Sequence, residues 1–153
     1  MMRFLRGLAT YFRNWAANKV RVPLRAEESV TRFVFRTEHL FKDGRAKPKA
    51  FMPETHPATG EFELSVCRLE GCPEQRTWHV GKTCRRDVAL KARADFPADV
   101  AFQNQLHGFR APEPDYAEHA ILLGWPPADG DKSHRMSIAQ ALADAARVHA
   151  PPT

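Results

Sequence analysis

The sequence contains no apolar run long enough to cross a membrane as a helix. Its longest, residues 120–123, has four residues, where a bilayer core asks for roughly twenty. Cysteine is scarce as well. Three thiols, Cys67, Cys72 and Cys84, are too few and too odd in number for a disulfide framework, and a reducing, cytoplasmic setting is the expectation. A secretory signal is not expected, because arginines interrupt the stretch of residues 1–22 that such a signal keeps apolar. Serine is missing from residues 1–28, which sets the segment apart from a mitochondrial presequence. Acidic residues are missing from the first 25 positions altogether. There is no low-complexity segment and no internal repeat.

That local lack of acid locates the charge. The chain of 153 residues carries a formal net charge of +5. Arg3, Arg6, Arg13, Lys19, Arg21 and Arg25 lie in residues 1–25, and the remainder has 17 basic against 18 acidic residues, a net of −1. The chain therefore divides into a basic arm, residues 1–25, and a near-neutral domain, residues 26–153. A hydrophobic share of 43% with 27% charged residues suits one globular domain. Twelve prolines against eight glycines point to stiff connections between short elements.

Residues 2–20 are expected to form a helix, with Phe4, Leu5, Leu8, Tyr11, Phe12, Trp15 and Ala16 on one stripe. Arg6 and Arg13 fall mostly off the stripe, and Pro23 closes the segment. Such a stripe is too large to stay in water. Phe4, Leu8, Phe12 and Trp15, flanked by Arg6 and Arg13, are the expected docking surface for a protein partner, with anionic lipid or nucleic acid as the other targets. Residues 27–153 are expected to fold without it.

Within the domain, residues 29–37 and 62–69 read as strands, the second with Phe62, Leu64 and Val66 on one face and Glu63, Ser65 and Cys67 on the other. Pro73 opens a helix to about residue 86. Residues 88–94 alternate as a third strand, 97–105 fit either a short helix or irregular structure, and 107–116 read as a loop with Pro112 and Pro114. Residues 118–124 form an apolar strand. Asp131 or Ser133 caps a last helix reaching about residue 149, with Ile138, Leu142, Ala145 and Val148 inward. The expected class is α+β: a small mixed or antiparallel sheet with two packed helices, plus the N-terminal amphipathic helix.

Several short pieces occur in a distinctive order: Arg32–Phe33, His39, the turn at residues 48–51, the Leu-Ser-Val of residues 64–66, Glu113–Pro114, the His-Ala-x-Ile-type strand at 119–124 and an Ala-rich helix over 134–148. In this order residues 29–148 resemble a family of small uncharacterised bacterial proteins. The chain departs from their pattern in Ile121, Leu122 and Leu123 before Gly124, and in its N-terminal arm. The resemblance implies a fold and a bacterial origin, and transfers no catalytic residue or activity.

Residues 80–83 spell Val-Gly-Lys-Thr, the tail of a phosphate-binding loop. The first glycine of such a loop would fall at position 76, which is Arg76, so the motif is incomplete. Cys72, His79 and Cys84 are spaced too widely for zinc, and no metal or cofactor is expected. His39, His79, His107 and His119 are acid–base candidates, and His119 stands out on an apolar strand where a polar ring needs a definite partner. Were Arg32, His39, Ser65, Arg68 and His119 to converge, they would suit an anionic substrate such as a phosphodiester, with His119 and His39 as acid–base groups and Arg32 and Arg68 as anion clamps. The plain alternative is a hydrogen-bonded core histidine and exposed strand arginines. Basic runs at residues 45–49 and 82–93, the first near Phe41 and Phe51, fit solvated surface or a nucleic-acid contact. The leading expectation is an accessory protein that binds through its arm. A small enzyme acting on RNA or a nucleotide, and a peripheral membrane protein, are the alternatives.

Overall fold

The strand at residues 29–34 is buried on both sides, and it lies in the middle of the sheet. In the computed structural model, which describes residues 21–153, this strand β1 (Ser29–Val34) buries Val30 and Val34 on one face and Thr31 and Phe33 on the other. The remaining elements are β2 (Glu54–Thr55), β3 (Phe62–Arg68), α1 (Glu74–Thr83), β4 (Ala92–Pro97), α2 (Ala98–Gln103), β5 (His107–Arg110), β6 (His119–Leu123), α3 (Lys132–Ala145) and β7 (Arg147–His149). Among the described residues the fold is α+β, a seven-stranded antiparallel sheet with three α-helices. Strand order is β5-β6-β3-β1-β4-β7, with β2 added to β3. The expected helix over residues 2–20, with its docking residues Phe4, Arg6, Leu8, Phe12, Arg13 and Trp15, lies outside the described residues. Among the described residues no helix is long and apolar enough to cross a membrane.

One face of the sheet holds the main core. Val30, Leu64, Val66, Phe96 and Leu122 meet Phe51, Leu106, Trp125 and the inward side of α3, Ile138, Ala139, Leu142 and Ala143. The other face carries a smaller cluster of Phe33, Cys67 and Val80, edged by Phe35, Leu90 and Tyr116. Helix α1 covers it. A Cβ on Gly81 would stand 2.6 Å from the Phe33 ring, so this glycine lets the helix lie close to β1. Gly81 and Lys82 are thus residues inside a helix, the glycine packed and the lysine exposed, outside any strand-to-helix phosphate loop. Beside them Arg93, 8% exposed, sits 4.9 Å from the Trp78 ring and 3.3 Å from Asp95.

Several elements differ from the pattern expected of the sequence. The third strand runs from Ala92 to Pro97 rather than over 88–94, because its partner β1 pairs Val34 with Ala92 and Ser29 with Pro97. Residues 98–103 form a helix. Residues 107–110, expected in a loop, are strand β5 on β6. Their inward residue is Gly108, which has no side chain to betray burial; a Cβ there would meet Leu24 at 2.8 Å. The last helix ends at Ala145, where Ala146 turns extended and Arg147–His149 pairs with β4. Val148 is therefore a half-buried strand residue and Ala145 is exposed, and neither extends the helical stripe. Asp131 accepts the Ala128 N–H at 3.1 Å, closing the turn before the helix.

The root of the arm is held by the domain. Leu24 is 5% exposed in the main core. Its N–H donates to Gly108 O at 2.9 Å, and Arg110 N–H donates to Val22 O at 2.8 Å, so residues 22–24 run along the outer side of β5. Further along, Glu28 is 1% exposed. It accepts the Arg25 N–H at 2.8 Å and two bonds from Arg68, at 2.9 and 2.7 Å. Burial opposes the Glu28 charge, but the Arg25 amide and the Arg68 guanidinium outweigh it and hold the carboxyl below its ordinary value of 4.5.

Two outcomes are expected. A fragment of residues 21–153 should be more stable than one of 27–153 by about 2–5 kcal/mol, the cost of losing a buried leucine; chemical denaturation of the two side by side measures it, and equal midpoints would refute it. For Glu28 the folded state binds its proton less readily than the unfolded chain does. Its stabilisation is thus present above about pH 4.5 and lost as pH falls through the depressed folded value. Glu28→Gln should cost about 3 kcal/mol at neutral pH, as breaking a buried pair does, and should flatten the acid side of the stability curve. Urea titrations across pH check both, and an unchanged acid limb would count against the pair.

Candidate functional site

Strand β3 is shared by two partners along one side. Strand β2 pairs with its start, through Glu54–Glu63 and Thr55–Phe62, and β1 pairs with its end, through Thr31–Cys67 and Val30–Arg68. Between these pairings β1 and β3 part, and Arg32 fills the opening. Its Nη1 donates to Ser65 O at 3.0 Å and its Nε to Ala50 O at 3.0 Å. Burial pushes the Arg32 guanidinium below its ordinary value, with Glu54 the chief opposing influence; arginine still keeps its charge at neutral pH.

A cavity of about 420 Å³ opens here, lined by Arg32, Phe33, Phe35, Glu54, Ser65, Cys84, Arg85, Glu113, Tyr116 and His119. By the alternation of β1, Arg32 falls on the side opposite Phe33 and Phe35. All three reach the cavity, which the parting of β1 from β3 allows. Residues just past α1 supply Cys84 and Arg85, and the β5–β6 connection supplies Glu113 and Tyr116. That connection is tied to α1 by Arg76, which donates to Glu118 Oε1 and to Asp115 O, each at 3.0 Å.

His119 is 8% exposed, and its Nδ1 lies 2.7 Å from Ala111 O. A carbonyl only accepts, so the proton sits on Nδ1, and in the neutral ring Nε2 keeps a lone pair. Glu113 Oε1 stands 3.6 Å from the same Nδ1, and the Tyr116 ring packs 5.0 Å away, centre to centre. Burial raises the Tyr116 phenol above its ordinary range, and the neighbouring Cys67 thiol adds to the shift. The Cys67 thiol itself is pushed up to about 12 by burial. Cys84 is raised too, again by burial first. At neutral pH these groups are therefore neutral donors rather than thiolates or a phenolate.

Three of the residues singled out in the sequence, Arg32, Ser65 and His119, line this one cavity. Arg68 lies elsewhere, committed to Glu28. His39 lines a neighbouring open groove of about 490 Å³ with Phe35, Arg36, Thr37, Glu38, Lys49 and Lys91. Its imidazole is lowered by burial and then by Arg36, Arg32 and Lys49. Arg85, Tyr116, Phe35, Glu54 and Glu113 were not legible as site residues. Tyr116 sits in a Pro-rich connection and Arg85 past a helix end, where no periodicity assigns a face. Cys72 accepts from Thr77 Oγ1 at 3.3 Å, and the Cys84 thiol faces Gly81 O at 3.9 Å. Among the described residues no three His, Cys, Asp or Glu side chains are placed to hold a metal.

Compared with protein-family models, with curated proteins and with solved structures, the chain finds no match in any of the three, and the chemistry of the cavity is what speaks for its function.

Proposed function

We propose that this is a binding protein whose domain takes a small anionic ligand carrying a flat ring, a nucleotide by chemical class, and whose basic arm docks the domain to a protein partner. One observation carries the first part: two guanidinium groups, an imidazole and three aromatic rings border a single cavity of about 420 Å³, beside the carboxylates of Glu54 and Glu113. The volume lies in the range of roughly 300–1,000 Å³ common for small-molecule sites. Arginine matches phosphate by charge and by its planar fork, and Phe33, Phe35 and Tyr116 offer surface to a ring. Binding is favoured over catalysis because the thiols and the phenol are held protonated, and Ser65 stands across from Ile121 rather than His119. The same cavity, with His119 Nε2 as a base, is the enzyme alternative. Three unpaired cysteines support a reducing, cytoplasmic setting.

The test is calorimetric titration of the full chain with adenosine, guanosine and uridine monophosphates and with inorganic phosphate. Arg85→Met should weaken nucleotide binding at least about tenfold, equivalent to about 1.4 kcal/mol, and His119→Gln should weaken it measurably, with melting temperatures close to that of the parent. Absence of binding by all four probes, or parent-like affinity in both variants, would overturn the reading. Conversion of a bound nucleotide that His119→Gln abolishes would replace binding with catalysis.

The second part rests on the place where the arm is rooted. Residues 22–24 are clamped to β5, which supports a fixed attachment point for the amphipathic segment. Phe12→Glu and Trp15→Glu should abolish co-purification of a partner while leaving domain stability within about 0.5 kcal/mol, as surface changes do. Liposome flotation that these substitutions abolish would instead favour lipid. Destabilisation by several kcal/mol with unchanged association would mean the aromatic stripe belongs to the core.

A further inference from the structure

We infer that the groove beside the cavity carries single-stranded nucleic acid, so that the nucleotide in the cavity is one unit of a longer strand. This rests on the nucleotide reading of the cavity and names the polymer that would deliver it. The groove draws Arg36, Lys49 and Lys91 from three separate parts of the chain against the single carboxylate of Glu38. None of the three cations forms an ion pair among the described residues. Phe35 borders both the groove and the cavity, and the Arg85 guanidinium lies 5.2 Å from its ring. The two spaces therefore share a wall that is both aromatic and cationic.

A second cationic patch adjoins the groove at His39, whose carbonyl accepts the Lys47 N–H at 2.8 Å. Phe41 is 42% exposed, with Arg45 at 5.2 Å and Lys47 at 5.4 Å from its ring. Arg45 is partly neutralised by Asp43, at 2.7 Å. Lys47 has no such partner among the described residues. Cations spaced along a path, with rings between them, suit a phosphate backbone with bases stacked alongside. A single small anion would need only one of these points. Bases must be unstacked to reach Phe35 or Phe41, which selects a single strand over a duplex. A lipid surface fits less well, since the only other exposed large apolar residue among those described is Val22, at the arm's root.

The experiment is fluorescence anisotropy of labelled single-stranded DNA and RNA twelve-mers with the full chain over a range of salt, beside mononucleotide calorimetry. The single strand should bind at least about tenfold more tightly than the mononucleotide, and log affinity should fall with log salt with a slope of about −2, as three phosphate contacts imply. The double variant Lys49→Glu, Lys91→Glu should lose at least tenfold in strand affinity and flatten the slope, with mononucleotide affinity within about twofold of the parent. A mononucleotide that binds with no gain from a strand, or strand affinity unchanged in the double variant, would overturn the groove while leaving the cavity standing. Duplex binding as tight as the single strand would overturn the unstacked strand. Strand affinity lost in a full chain carrying Arg3, Arg6 and Arg13→Ser, and kept in the double variant, would move the contact to the arm and overturn the inference. Failure of mononucleotide and strand alike would remove the cavity reading as well.

Discussion

Arg32 closes a hole in the sheet, and the shape of the domain around the cavity follows from that. Where β1 and β3 part, the Ser65 carbonyl of β3 would otherwise face an opening without a ladder partner. A guanidinium has five donors in a rigid fork, and here it serves Ser65 of β3 and Ala50 of the turn at residues 48–51 together. Lysine could not span the two at the same planar geometry. The turn brings Phe51 with it, fully buried against Phe96 with ring centres 5.7 Å apart. One side chain thus links a central strand, the strand beside it and a segment of the main core. The same opening admits Phe33 and Phe35 from one face and Arg32 from the other into a shared cavity.

The strands with alternation were readable because period-two burial is visible in residue type. In β3, Leu64 and Val66 enter the main core; β6, buried at every residue, was readable instead as a short, mostly apolar run. Two elements left no such trace. Strand β5 places a glycine where an apolar residue would have announced it, and its partner on that spot is Leu24, far off in sequence. Strand β7 follows an Ala-rich helix with neither glycine nor proline before Pro151, so its start is set by the free side of β4 and not by a local stop signal. Long-range pairing decides both, and no window of local sequence contains it.

The candidate site divides the same way. Arg32 and Arg68 look alike in the sequence, each a cation set among the apolar residues of a strand. Ladder geometry separates them: Arg68 lies where β1 and β3 pair and meets Glu28, while Arg32 lies where they part and meets backbone carbonyls beside the cavity. His119 could be singled out because an imidazole on a buried strand needs a partner, and Ala111 O supplies it. His39 lies on a short turn after β1 that faces the groove, beyond the reach of any periodic argument. The residues that complete the cavity, Arg85 and Tyr116, come from connections, and tertiary contacts such as Arg76 with Glu118 help to direct them.

The strip of chain at residues 22–24 has a consequence for how the molecule behaves among its own copies. A sheet invites further strands wherever its outermost backbone groups stand open, and proteins escape aggregation by shortening or covering such borders. At one border here β7 offers only three residues. At the other, Val22 and Leu24 occupy two outward-pointing backbone groups of β5, the Arg110 N–H and the Gly108 carbonyl. Proteolytic nicking just after Leu24 would strip that cover. The β5 border would then be free to recruit the same strand from a second molecule, and cleaved chains would assemble into strand-paired oligomers.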